Sequence, residues 1–204
     1  MENTDSYKTL SAPSEEILFK EKKSKFFGYA YPIKSEDEVK PLIEKLKKQH
    51  HTANHVCYAW QLGINNAHYR ANDDGEPNNS AGMPIYGQIQ SFGVTNVLVA
   101  VARIFGGTKL GVGGLISAYK TAAQMALEVS PIVTRIQKAH FKVHFGYESM
   151  DKVMRIIKQN NLDIVSQKLE MECDLEITSP KSHTEMVMQL FKENHMVSIQ
   201  LKED

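Results

Sequence analysis

Three carboxylates lie within four positions of the stretch YRANDDGEPNNSAGMPI, residues 69–85. Asp73, Asp74 and Glu76 offer oxygen ligands of the kind that hard divalent cations prefer, and any of them could serve as a general base. Their spacing matches no EF-hand loop. The same carboxylates could instead accept hydrogen bonds from the free amides of a helix that is predicted to begin near Ser80. The residues leave a metal site, a catalytic site and a helix cap open.

A second candidate site is the glycine-rich segment in VLVAVARIFGGTKLGVGGLISAYK, which lies between a predicted buried strand and a predicted helix. It holds five of the twelve glycines, namely Gly106, Gly107, Gly111, Gly113 and Gly114. Successive backbone N–H groups of such a loop, next to a helix N-terminus, suit an anion. Arg103 and Lys109 are the local cations.

The glycine segment matches no nucleotide-binding fingerprint. It lacks the G-K-[ST] of a Walker loop, and Ile116 stands where G-x-G-x-x-G requires its third glycine. The glycines could therefore serve only positive φ angles and close packing of the helix on the sheet, which is the alternative to anion binding.

The remaining reactive side chains have simpler interpretations. His51 and His55 would share a helix face, but His55 begins a predicted strand, which argues against a zinc site with the neighbouring His50 and His68. Cys57 alternates within the same strand and is predicted to be packed rather than reactive. Ser80 is interpreted as a helix N-cap. We therefore predict no metal and no cofactor.

Composition limits the classes of partner. Lys plus Arg equals Asp plus Glu at 24 each in 204 residues, so the overall charge does not attract nucleic acid or an anionic membrane. A partner must be recognised locally. The two cysteines are far apart, the N-terminus lacks a signal peptide, and no apolar run approaches the roughly 20 residues of a membrane span. The sequence predicts a cytoplasmic protein without a membrane partner.

Hydrophobic periodicity predicts the elements that must position these residues. In the first part of the chain, strands are predicted in KFFGYAYPI, HVCYAWQLG and NVLVAVAR, and helices in SEDEVKPLIEKLKKQ, SAGMPIYGQIQSF and ISAYKTAAQMALE. Ser35 and Glu38 form a predicted capping box at the first helix. Pro131 marks a break at residues 130–137, which we interpret as a connection between two domains, 1–135 and 136–204.

The second domain is predicted to have the order βαββαβ, a ferredoxin-like arrangement of two helices on a four-stranded antiparallel sheet. Ser182 and Glu185 form a predicted capping box at its second helix. The polar side of its third strand carries an acid row, Glu170, Glu172, Asp174 and Glu176. We predict that this row is a solvated face opposite Lys142 and neighbouring histidines, because acids in a row repel RNA phosphates.

Two long motifs together resemble the signature of the IMPACT family and its bacterial YigZ-like members. They are RANDDGEPNNSAGMPI from Arg70 to Ile85, and NVLVAVARIFGGTKLGVGGLISAY from Asn96 to Tyr119. The resemblance implies an α+β fold, with an N-terminal domain similar to domain IV of elongation factor G. It further implies a ferredoxin-like C-terminal domain similar to domain V of that factor.

The chain departs from the family pattern at three positions. Asn79 replaces a glycine, Ile104 replaces a tyrosine and Ser117 replaces an arginine, so one aromatic ring and one cation are missing from the expected site. Eukaryotic relatives modulate a stress-kinase pathway of translation and carry an additional N-terminal domain. The 204 residues leave no room for that domain, so this regulation is not expected here.

The sequence thus favours a non-enzymatic, translation-associated protein that binds RNA or another anionic ligand. The expected partners are RNA or the ribosome, or a protein of the translation machinery. The alternative is a hydrolase-like enzyme that acts on a phosphorylated or peptide substrate through Asp73, Asp74 or Glu76. The expected ligand-binding residues are Arg70, Asp73, Asp74, Glu76, Ser80, Arg103, Gly106, Gly107, Lys109, Gly111, Gly113 and Gly114.

Overall fold

The computed structural model describes residues 5–64 and 67–202. These residues form two compact units, residues 7–135 and a second unit from residue 136 onward that includes Asp5 and Ser6. Each unit combines helices with an antiparallel sheet, so the predicted α+β class is confirmed. Folding of 1–135 and 136–204 as independent domains stays a prediction.

The first unit is built on a five-stranded antiparallel sheet. Its elements, together with two flanking strands, are β1 (Ser6–Leu10), β2 (Ile17–Glu21), β3 (Ser24–Pro32), α1 (Val39–Gln49), β4 (His55–Leu62), β5 (His68–Asn72), α2 (Gly82–Phe92), β6 (Val97–Ile104), α3 (Gly111–Glu128) and β7 (Ile132–Ile136). The sheet order is β2-β3-β6-β4-β5, and β1 pairs with β7 in a separate sheet.

Helices cover both faces of this sheet, which explains the continuous apolar run of the central strand β6. Val99 and Val101 share a core with α2 and α3, whereas Leu98, Ala100 and Ala102 share a second core with α1. Successive side chains of a strand point to opposite faces, so a strand that is buried on both sides must be apolar at every position. The predicted two-sided burial of β6 is confirmed.

Helix α1, which is predicted by the sequence, buries Val39, Ile43 and Leu46. The predicted capping box at its start is wrong. The Ser35 side chain makes no capping hydrogen bond with any described residue, and the Glu38 carboxylate accepts from the Lys34 backbone N–H at 2.9 Å. A 3-10 turn precedes the α-helix, so the box spacing does not coincide with the first α-helical turn.

Strand β7, which the sequence did not predict, occupies most of the predicted break at residues 130–137, and the division between the two units falls within that break, after Arg135. Pro131 does follow the end of α3, and its carbonyl accepts from the Ser11 backbone N–H at 3.0 Å. Strand β7 pairs with β1, which lies more than 120 residues earlier in the chain. Hydrophobic periodicity along the sequence contains no information about such a distant partner.

The second unit has the predicted βαββαβ order. Its elements are β8 (Lys138–Gly146), α4 (Met150–Gln159), β9 (Asp163–Leu169), β10 (Glu172–Pro180), α5 (Thr184–Lys192) and β11 (Val197–Lys202). The sheet order is β11-β8-β10-β9, with antiparallel pairs, and this is the ferredoxin-like topology. Phe141, Val143 and Phe145 of β8 pack with Val153 of α4 and Val187 of α5.

The other face of this sheet carries the acid row, which meets cations as predicted. The Asp174 carboxylate lies 3.0 Å from His144 Nδ1 and 3.8 Å from Lys142 Nζ, and Lys202 donates to Glu176 at 2.7 Å. All these side chains are more than a third exposed, so this face is solvated.

The predicted capping box at α5 is wrong. The Ser182 hydroxyl donates to Asp5 Oδ2 at 2.6 Å, and the Ser182 backbone N–H also donates to that carboxylate. Ser182 lies in a 3-10 turn that ends before α5 begins at Thr184. The hydroxyl is therefore used by a residue 177 positions away.

No helix in the described ranges is long and apolar enough to cross a membrane.

Candidate functional site

The carboxylate of Asp73 caps helix α2. It accepts hydrogen bonds from the backbone N–H groups of Asn79 at 2.9 Å, Ala81 at 2.9 Å and Gly82 at 2.8 Å. Ser80 is not the cap that its position predicts, because its hydroxyl donates to the Pro77 carbonyl at 2.6 Å. Asp73 therefore satisfies the amides that an N-terminal helix turn leaves free.

Asp74 serves the start of strand β4. One carboxylate oxygen accepts from the Val56 backbone N–H at 2.7 Å, and the other lies 2.8 Å from Lys47 Nζ. The Asp74 carbonyl contacts His55 Nδ1 at 2.7 Å. These contacts fasten the acidic turn to β4 and α1.

Glu76 forms a buried ion pair. Arg103 Nη1 donates to Glu76 Oε1 at 2.5 Å, and the Tyr119 hydroxyl donates to the same oxygen at 2.8 Å. The side chains of Glu76 and Arg103 are 4% and 7% exposed. The three carboxylates therefore engage separate partners and do not converge, and no three or more His, Cys, Asp or Glu side chains in the described ranges are arranged to hold a metal ion.

Burial favours the protonated forms of the Tyr119 hydroxyl and the Cys57 thiol, which lie beside Glu76. It raises the pKa of the Tyr119 hydroxyl, and Cys57 and Glu76 beside it raise this pKa further, so Tyr119 remains a donor to Glu76. Burial also raises the pKa of the Cys57 thiol, which contacts Tyr119 and the Asp73 carbonyl. The prediction that Cys57 is packed is confirmed, since a thiol held neutral in this way is a poor nucleophile.

Arg103 has an unsatisfied donor. Its guanidinium carbon lies 5.6 Å from the ring centroid of Phe26 and 5.5 Å from that of Phe105. The Nε atom is buried and has no hydrogen-bond partner among the described residues. A buried donor without a partner costs about 1 to 3 kcal/mol, so an acceptor that reached this guanidinium would be favoured.

The glycine segment is divided between a loop and a helix. Gly106 and Gly107 lie in the loop after β6, whereas Gly111, Gly113 and Gly114 lie in the first turn of α3, which begins earlier than predicted. A Cβ on Gly106 would lie 2.1 Å from the Lys23 backbone, so this glycine serves packing. The first turn of α3 contains no acidic residue and has no side-chain cap from any described residue.

The buried pair and the start of α3 meet at a cleft of about 440 Å³. Its lining consists of Asn54, His55, Glu76, Pro77, Arg103, Phe105, Lys109, Leu110, Gly111, Val112 and Leu115. The cleft therefore combines a buried cation, an exposed lysine, an uncapped helix N-terminus and an apolar wall.

Four of the twelve predicted ligand-binding residues line this cleft, namely Glu76, Arg103, Lys109 and Gly111. The remaining eight lie outside its lining: Arg70, Asp73, Asp74, Ser80, Gly106, Gly107, Gly113 and Gly114. Arg70 is on β5, where it contacts Glu36 at 3.4 Å. Sequence reasoning missed the apolar wall, in particular Phe105, Val112 and Leu115, because apolar residues of a loop and a helix face carry no signal that distinguishes a cleft from a core.

The fold and the cleft define a class of protein: two α+β units, the first with a cleft lined by a buried ion pair, Lys109 and the start of α3. A family model for the Impact N-terminal domain matches residues 22–127, which include the whole lining of the cleft. The chain belongs to the IMPACT family.

Two bacterial relatives extend this similarity beyond the matched domain. The chain is 30% identical to the IMPACT family member YvyE of Bacillus subtilis, over 91% of this chain and 87% of the relative. It is 26% identical to the IMPACT family member YigZ of Escherichia coli, over 78% of this chain and 79% of the relative. The predicted YigZ-like membership is confirmed.

A solved structure described as that of a hypothetical protein shares the fold. It is 24% identical, with a TM-score of 0.66 over 98% of this chain and 99% of the other. The expected likeness to domains IV and V of elongation factor G stays a prediction.

The departures from the family pattern have different structural consequences. Asn79 has a φ of +60°, a backbone conformation that glycine adopts freely and asparagine tolerates better than most residues. The turn thus accommodates asparagine in place of the glycine. Ile104 and Ser117 lie outside the lining of the cleft.

Proposed function

We propose that the protein is a translation-associated regulatory protein that binds an anionic group of RNA in the cleft of its first unit. Membership of the IMPACT family supports the association with translation. The observation that carries the RNA part is the Arg103 guanidinium, which lines the cleft with an unpartnered Nε among the described residues.

The charges around the cleft support binding of modest strength. The Arg103 charge is balanced by Glu76, so the net attraction comes from Lys109 and from the partial positive charge of the α3 N-terminus. Residues 1–135 carry 15 basic and 13 acidic side chains, against 9 and 11 in residues 136–204. The first unit is therefore the better candidate for a polyanion.

No described contact favours the hydrolase-like alternative. The Asp73 carboxylate accepts hydrogen bonds from backbone amides, and the Asp74 carboxylate pairs with Lys47. The Glu76 carboxylate is paired with Arg103 and accepts from Tyr119. A general base must be free to accept a proton from its substrate.

RNA titration of the full chain at several salt concentrations tests the proposal. Affinity should fall with salt, and the slope of log affinity against log salt should correspond to a few phosphates, at about 0.7 per phosphate for a single strand. Lys109→Ala should weaken binding and make the slope shallower by about one contact. Lys120→Ala is the control, because Lys120 is an exposed lysine of the following helix α3 and lies outside the cleft lining.

Equal binding by wild type and Lys109→Ala would contradict the proposal. Loss of affinity in Lys120→Ala of the same size as in Lys109→Ala would also contradict it, since binding would then depend on overall charge. If the chain does not bind RNA at any salt concentration, a protein of the translation machinery becomes the better partner.

A further inference from the structure

The depth of Arg103 restricts the kind of anionic group that can reach it. The Arg103 side chain is only 7% exposed, and its guanidinium lies beside the rings of Phe26 and Phe105. This side chain lines the cleft, together with the exposed Phe105 and Val112. A ligand must therefore insert its charged group into the cleft to reach the guanidinium.

An internal phosphodiester of an RNA strand is poorly suited to this insertion. Its phosphorus is bonded to chain on both sides, so both flanking nucleotides would have to enter the cleft with it. A phosphate monoester ends its carrier and projects from it. It also carries a charge of about −1.5 to −2 near pH 7, against −1 for a diester, and has three free oxygens as acceptors.

The walls of the cleft suit a flat and partly apolar carrier. Phe105 is 42% exposed and Val112 is 53% exposed, and together with Pro77 and Leu115 they line the space around the charged groups. Nucleobases stack on exposed aromatic rings of this kind. The volume of about 440 Å³ falls in the lower part of the range of small-molecule sites, about 300 to 1,000 Å³, and suits one nucleotide rather than several.

We propose that the cleft takes the terminal phosphate monoester of a nucleotide, with the phosphate between Arg103, Lys109 and the first amides of α3 and the base against Phe105. This inference rests on the proposed function and names the ligand of the same site. A phosphorylated RNA end and a free mononucleotide share this chemistry, and binding experiments distinguish the two sources.

The experiment measures binding of the full chain to one short single-stranded RNA in three forms: with a 5′-phosphate, with a 3′-phosphate and with hydroxyls at both ends. Adenosine monophosphate, adenosine and inorganic phosphate are measured in parallel. We expect one phosphorylated end to bind about tenfold more tightly than the hydroxyl form, which corresponds to one additional charge-assisted hydrogen bond.

Val112→Asp provides a variant that should fold and lose this preference. The position is exposed and lies in the first turn of α3, where a carboxylate stabilises the helix. The new carboxylate would occupy the place of the ligand and repel the phosphate. Val112→Asn is the matched control, because it has nearly the same shape without the charge, and it should retain the preference for a phosphorylated end.

Equal affinity for phosphorylated and hydroxyl ends overturns this inference, and it leaves the proposed function standing if RNA binding still depends on Lys109. Tight binding of adenosine monophosphate, abolished by Val112→Asp, together with no binding of any RNA form, supports the terminal phosphate site and overturns the RNA part of the proposed function. Retention of the preference in Val112→Asp overturns the placement of the phosphate at α3.

Discussion

Each unit contains an ion pair between a glutamate and a basic residue, and the pair is buried in the first unit and exposed in the second. In the first unit, Glu76 and Arg103 form an ion pair whose side chains are 4% and 7% exposed. In the second, Glu176 and Lys202 form a pair whose side chains are 36% and 53% exposed. The N–O distances within the two pairs are similar, at 2.5 Å and 2.7 Å, so the pairs differ mainly in their burial.

The difference shows where a charge pair has consequences. Water screens the exposed pair, which contributes little to stability. The buried pair has lost its hydration, so each charge depends on its partner, and the remaining donors depend on further acceptors. Arg103 shows this, because its buried Nε has no acceptor among the described residues. The first unit is therefore the place to look for a ligand.

The largest expected effect is that of Glu76→Gln. This change leaves the Arg103 charge buried without a counter-charge, so the free energy of unfolding of the first unit should fall by about 3 to 5 kcal/mol. Trp60, the one tryptophan of the sequence, is buried in the first unit, and its fluorescence during urea unfolding reports this loss. Glu176→Gln is the control and should leave the Trp60 transition unchanged. A small and equal effect of both changes would remove the contrast between the pairs.

Asp73→Ala should have an intermediate effect. It removes the acceptor of three backbone N–H groups at the start of α2, and loss of a helix cap costs about 0.5 to 2 kcal/mol. The Trp60 transition should therefore shift less than in Glu76→Gln. Asp73→Asn retains an acceptor oxygen and should lie between wild type and Asp73→Ala. A loss in Asp73→Ala that exceeded the loss in Glu76→Gln would reverse the expected ranking.

A smaller effect is expected for the acid row of the second unit. The hydrogen bond with His144 is the main cause that lowers the pKa of Asp174, and Lys142 lowers it further. A carboxylate whose pKa is lower in the folded protein stabilises the fold above its ordinary pKa, and this stabilisation is lost as the pH falls through the lowered value. The loss should therefore occur below about pH 4.

His144→Gln tests this assignment by NMR titration of the side-chain carboxyl carbons. The Asp174 titration should move up towards the ordinary range. The pKa of Glu176 is lowered mainly by Lys202, so its titration should stay where it is. Movement of both titrations together would mean that the row responds as one charged surface.

The smallest effect is expected from removing the second unit. A chain of residues 1–135 should retain the Trp60 transition of the full chain, because the cores of the first unit share no residue with the core of the second. Circular dichroism and limited proteolysis would show whether the shortened chain is folded. An unfolded chain would mean that the units form one cooperative structure, and the predicted independence of the domains would be wrong.

Periodicity predicted most of the elements because burial acts locally along the chain. The apolar run of β6 follows from burial of both faces of that strand, and the βαββαβ order of the second unit follows from elements that bury one face each. The capping box failed at Ser35 because a 3-10 turn precedes the α-helix, and it failed at Ser182 because the hydroxyl donates to a residue 177 positions away.

The sequence alone determined which residue types are available for the site: three carboxylates, a glycine-rich approach to α3, and the cations Arg103 and Lys109. Only the tertiary structure decided their roles. It directed Asp73 to the amides of α2 and Asp74 to β4, and it buried Glu76 against Arg103. Neighbours in sequence separate in this way because each carboxylate must meet its own hydrogen-bond donors, and those donors come from elements that the sheet brings together from distant parts of the chain.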